Sequence, residues 1–116
     1  AIHFQERVVI DESAVQKALD WLVANAEPAA KARATRTYIE EYRKSIKADL
    51  MAQKASDPLG AQERYAYSHP EYKAHLQTLR TAVEEDEKMR WLLTACEAKI
   101  EVYRTMQANA RAQGKL

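Results

Sequence analysis

Ser56-Asp57-Pro58-Leu59-Gly60 is the stretch on which the fold turns. Two breakers within three residues and an Asp-Pro turn signal stop any helix that reaches them and reverse the chain. On either side lie long tracts dominated by Ala, Leu, Glu, Lys, Gln and Arg, residues that lose little freedom in a helix. After Pro70 no further Gly or Pro appears before about Ala112. A continuous helix over those roughly 43 residues is about 65 Å long at ~1.5 Å per residue, against ~30 Å for the width of a small domain. The pattern predicts an all-α fold, an elongated, coiled-coil-like antiparallel helical hairpin.

Composition narrows the alternatives. The 116 residues contain only two Gly and three Pro, which starves any architecture built on many tight turns. With 47% hydrophobic and 30% charged residues the chain reads as one soluble globular domain, and no apolar run approaches the ~20 residues that span a bilayer. Eighteen basic and 17 acidic residues leave a formal charge of +1, so any attraction to a polyanion is local. A single cysteine, Cys96, cannot close an internal disulfide, and the start of the chain shows no secretory signal pattern. Ala1 reads as the residue after a removed initiator Met, and the expected location is the cytoplasm.

Outward from the turn, the chain divides into an extended arm over 1–12 and a single helical domain over 13–116, with helices expected at about 13–25, 28–55 and 70–112. In the arm, Ile2, Phe4, Val8 and Ile10 recur at period two and describe a short strand with no second strand to pair with, which points to a partner. Ser13 with Gln16 resembles a capping box, and Val15, Ala18, Leu19, Leu22 and Val23 follow at helical spacing. Pro28 is expected to break this helix and open the next. The second helix then carries a seam of Tyr38 or Ile39, Tyr42, Ile46 and Leu50. One or two helical turns fit Gln62 to Tyr67. Ser68-His69-Pro70-Glu71 matches a Ser-x-x-Glu capping box, so Ser68 is assigned as an N-cap rather than a nucleophile.

Along the last helix Tyr72, Leu76, Leu79 and Val83 form one seam, and Met89, Leu92 or Leu93, Cys96, Ile100, Tyr103 and Met106 another. Asp86 stands where a steady heptad needs an apolar residue, so the seam is expected to shift face or the helix to bend there. The longer helix overhangs its partner, and self-association, most simply as a dimer, covers the excess apolar surface. Phe4, Trp91, Ile100 and Tyr103 are the candidate partner-binding residues. Trp91, beside Arg90, has the composition of an interface anchor.

Charge is segregated by helix. Residues 31–54 carry seven bases and three acids, whereas residues 84–101 carry six acids and three bases. Facing helices of this kind neutralise one another, or the basic one meets phosphates. Lys31, Arg33, Arg36, Arg43, Lys44 and Lys47 are the candidate nucleic-acid contacts. Tyr38 and Tyr42 lie among them and are assigned to the seam rather than to base stacking. The three His and one Cys lack metal-ligand spacing, no Gly-rich loop cradles phosphate, and no nucleophile elbow surrounds a serine. Neither an enzyme nor a bound cofactor is expected.

Two stretches resemble a known kind of protein. Tyr-Ile-Glu-Glu-Tyr-Arg-Lys-Ser-Ile-Lys-Ala-Asp-Leu-Met (38 to 51) and the run from Ala66 through Ser-His-Pro-Glu-Tyr-Lys (68 to 73) to Trp91, continued by Ala-Lys-Ile-Glu-Val-Tyr-Arg (98 to 104), are similar to the small helical-hairpin proteins of tailed bacteriophages and prophages. Such proteins are typically encoded among early genes, near single-strand annealing or other recombination functions. The resemblance implies a non-enzymatic accessory protein in DNA recombination or replication, acting on DNA, possible single-stranded DNA included, or on a phage or host DNA-processing protein. The alternative it leaves is an inhibitor or adaptor that binds a host protein. It implies the cytoplasm of the bacterial host and no membrane association.

Overall fold

A computed structural model describes residues 10–114. The arm up to residue 9, Phe4 included, lies outside the described residues. Among the described residues the fold is an all-α helical hairpin of three helices, α1 (Glu12–Ala52), α2 (Leu59–Ser68) and α3 (Pro70–Ala112). No helix among the described residues is long and apolar enough to cross a membrane. Two compact units form: Pro28–Met89 is one, and the residues up to Glu27 with those from Arg90 onward make the other.

The expected break at Pro28 is corrected, because α1 runs through it without interruption. Pro28 cannot donate the amide hydrogen that the Ala24 carbonyl would accept, but both residues are exposed, so water can take that carbonyl. One turn earlier the Asn25 side chain donates to the Trp21 carbonyl at 2.9 Å. Packed turns on both sides hold the helix across a site that alone costs about 3 kcal/mol.

Both predicted caps move by one or two residues. Asp11, not Ser13, opens α1, its Oδ1 accepting the Ala14 amide at 2.9 Å. Ser68 is the last residue of α2, and its hydroxyl donates back to the Arg64 carbonyl at 2.6 Å. His69 takes the capping role, its Nδ1 accepting the Glu71 amide at 3.0 Å. Between α1 and α2 the last turn tightens, Lys54 donating to Met51 at 3.0 Å, and the Gln62 amide closes the loop on the Asp57 carbonyl at 2.8 Å. Helix α2 is longer than the one or two turns expected, because Ala66 on its inner face is fully buried against Ile46, Leu50 and Tyr72.

In the Pro28–Met89 unit, α1 presents Ala32, Arg36, Ile39, Arg43, Ile46 and Leu50, and α3 presents Tyr72, His75, Leu79, Ala82, Asp86 and Met89. Each set alternates steps of three and four, the heptad spacing of a coiled coil. His75 Nε2 donates to the Ile39 carbonyl at 2.7 Å, and Arg36 Nη1 donates to Asp86 Oδ2 at 3.1 Å. Numbers fall along α1 as they rise along α3, so the two helices are antiparallel within this unit. Tyr38, Tyr42 and Leu76, assigned to seams from the sequence, are exposed. They sit one position off the alternation.

The expected shift of face at Asp86 is also corrected. Asp86 occupies its heptad position at 2% exposure, with no break in α3. Its partner Arg36 is committed to three carboxylates: Glu40 at 3.0 Å, and Asp86 and Glu87 at 3.1 Å each. Hydrogen bonds donated to Glu40, Glu87 and Asp86 raise the Arg36 guanidinium further above its ordinary range, so it stays charged at every relevant pH. Among the described residues no buried side-chain nitrogen or oxygen lacks a partner.

Arg36→Leu should lower the denaturation midpoint, because it strands a buried carboxylate, whereas Arg36→Leu with Asp86→Leu should recover most of the loss. Urea unfolding of the two variants measures this, and a double variant no better than the single one refutes it. At the hairpin end, Leu50, 1% exposed, anchors the apolar cluster, and Leu50→Ala should cost about 3 kcal/mol in the same assay.

Candidate nucleic-acid interface

Of the six basic residues singled out from the sequence, the structure brings three together. Arg43, Lys44 and Lys47 line one groove with Tyr67 of α2 and Tyr72 of α3. Spacing of three and four places Arg43 and Lys47 on the same side of α1, and the reversal after Ala52 returns the two tyrosines to that side. The lining holds three cations, two phenol rings and no carboxylate.

One ring holds one of the cations in place. Lys47 Nζ lies over the Tyr67 ring, 4.7 Å from its centroid, and Tyr67 packs edge-on against Tyr72 at 5.3 Å. A hydrogen bond to the Tyr67 hydroxyl raises the Lys47 pKa, with Glu63 a lesser contributor. Nearby, Lys44 donates to Glu41 at 2.8 Å, which lowers the Glu41 pKa and cancels that acid's charge at the groove margin. Next to α2's other tyrosine, Lys54 Nζ is 5.0 Å from the Tyr65 centroid. The arrangement supplies cations beside aromatic faces, a chemistry suited to phosphate oxygens with unpaired bases.

The remaining three candidates lie elsewhere. Arg36 is in the helix seam, held by its three carboxylates, and offers nothing to a phosphate. Arg33 is exposed about three turns before Arg43. Lys31 is exposed on the opposite flank of α1, in a shallow groove with Pro28, Thr35, Ala82 and Glu85. Tyr67 and Tyr72 were missed as groove residues because they follow Lys47 by 20 and 25 positions, beyond any local pattern. Only a hairpin register would have revealed them.

In the other unit the partner-binding candidates separate. Trp91 is 70% exposed, whereas Ile100 and Tyr103 are half-buried. Trp91, Ala95, Ala98, Val102 and Met106 recur at steps of four, three, four and four, an exposed apolar stripe along α3. The buried residues described in this unit are small, Ala18 and Cys96. No three His, Cys, Asp or Glu side chains cluster as metal ligands among the described residues.

Because its pKa is raised in the folded chain, the Lys47–Tyr67 contact stabilises the fold below the ordinary lysine range and is lost as pH rises through the raised value. Tyr67→Phe keeps the ring and removes the hydroxyl. Carbon-detected NMR of the Lys47 side chain should show titration moving down toward the ordinary lysine range, and an unchanged titration would rule out the hydroxyl as the cause.

Comparison of the chain with protein-family models, with curated proteins and with solved structures finds no match.

Proposed function

We propose that the protein is a non-enzymatic accessory factor of a bacteriophage or prophage, working in DNA recombination or replication in the cytoplasm of the bacterial host. It binds single-stranded DNA through the Arg43, Lys44 and Lys47 groove, docks on a recombination protein, or does both. The observation that carries this reading is the groove that Arg43, Lys44 and Lys47 line together with Tyr67 and Tyr72, with no carboxylate in its lining. The resemblance of residues 38–51, 66–91 and 98–104 to phage helical hairpins supplies the biological setting. Affinity is modest, since the groove reaches only two or three phosphates and the whole chain is near neutral.

A second reading has its own support. The apolar stripe through Trp91, Val102 and Met106 suits a protein partner, either a second copy of the chain in a homodimer or a host protein that the chain inhibits or adapts.

Replacing Arg43, Lys44 and Lys47 together by Glu should abolish binding to a fluorescent oligothymidylate at low salt while circular dichroism stays unchanged. Wild-type binding should fall with salt at a log–log slope of about −2, the ~0.7 per single-strand phosphate multiplied by three. Undiminished binding by the triple variant removes the groove from the mechanism. Affinity purification from infected cells, with and without nuclease, then separates DNA-bridged partners from direct ones.

A further inference from the structure

We propose that Tyr38 and Tyr42 form a second element of the same interface, a stacking platform for the unpaired bases of a single-stranded nucleic acid. The proposal rests on the single-strand reading above and assigns the bases, where the groove takes the phosphates.

Tyr38 is 67% exposed and Tyr42 46% exposed, on a flank of α1 that the hairpin seam leaves free. Their rings lie nearly parallel, 19° apart with centroids 5.8 Å apart, and Tyr42 in turn meets His75 at 5.9 Å. A carbonyl can only accept, so His75 Nε2 carries the proton it gives to Ile39 and the imidazole is fixed to the α1 backbone. The result is a stacked pair of rings backed by the His75 imidazole, which is tilted by 47° to Tyr42, a short column open at the outer face of Tyr38. A further planar ring is what extends such a column, and every nucleobase has a suitable face.

The surroundings favour a base over a protein. A protein hot spot needs a rim that excludes water, whereas the outer face of α1 beside Tyr38 carries Ala34, Thr37, Ser45 and Ala48, small residues that cover little. These residues also leave the way open between the two flanks. The helix is about 10–12 Å across, so a strand of a few nucleotides can pass around it from the groove to the platform. Glu41, the acid on that path, is held by Lys44. Asp49 lies two turns beyond Tyr42 on the platform's flank and repels phosphate there, whereas Lys31, two turns before Tyr38 on that flank, attracts it.

Two labelled 20-mers, oligothymidylate and a fully abasic strand of equal length, separate the contributions of base and phosphate. Wild-type protein should bind oligothymidylate about tenfold more tightly at one salt concentration, and Tyr38→Ala with Tyr42→Ala should erase that difference without changing the salt slope. Tyr38→Phe should keep it, since the ring and not the hydroxyl stacks. Equal wild-type binding of the two strands overturns the platform and leaves the phosphate groove standing. Absence of any binding at low salt overturns both. A double Ala variant that alters sedimentation but not strand binding makes the tyrosines a protein contact, and the proposal falls.

Discussion

The Arg36–Asp86 pair is the constraint around which the hairpin is arranged. An aspartate at 2% exposure in a helix seam is tolerable only if a cation meets it at one place, so α1 and α3 are held in the relation that brings Arg36 to it. Apolar seam residues alone tolerate sliding, because one aliphatic contact resembles the next. A buried charge does not, and the use of a single polar heptad position to select register is well attested in coiled coils. Glu40 and Glu87 extend the pair into a cluster on the same guanidinium, which removes Arg36 from any role at the surface.

Given that register, the cations left free are sorted by position along α1. Arg43 and Lys47 follow Arg36 on its side of the helix and are carried toward the hairpin's closed end, where α2 supplies Tyr67 and the start of α3 supplies Tyr72. Tyr38 and Tyr42 fall on the other flank, where His75 reaches Tyr42. Thus the internal ion cluster and the surface chemistry are two outcomes of one periodicity. The same helix that neutralises part of the acidic stretch 84–87 displays the remainder of its charge beside aromatic rings.

Much of the architecture was legible in the sequence. Pro58 and Gly60 mark the reversal, and the run without Gly or Pro after Pro70 marks the long helix. The seams were legible only in part: Ile46, Leu50, Tyr72 and Met89 were read from their spacing, whereas Arg36, Arg43 and His75 occupy heptad positions that a search for apolar residues passes over, and Asp86 was read as a shift of the seam. Tyr38, Tyr42 and Leu76, one step away, look more hydrophobic and mislead it. Pro28 misled for a different reason: its local preference is overridden by packing on both sides, and its exposure makes the lost hydrogen bond cheap. Composition and spacing named six basic residues, of which three line one groove. Separating Arg36 from Arg43 and Lys47 required knowing which carboxylates lie across the hairpin.

Arg43 stands seven residues after Arg36 on the same seam. If α3 slid by one heptad along α1, an arginine would again stand opposite Asp86, and the charged pair by itself would not distinguish the two alignments. The degeneracy is lifted at the closed end. Leu50, Ala66 and Tyr72 fit one alignment, and the connection from Gln53 to Pro58, with its carbonyls taken by Gln62, has no slack to accommodate a displacement of about 10 Å. Fidelity of alignment is therefore shared between two distant places, a charge that rejects most offsets and a short closure that rejects the one offset the charge would accept.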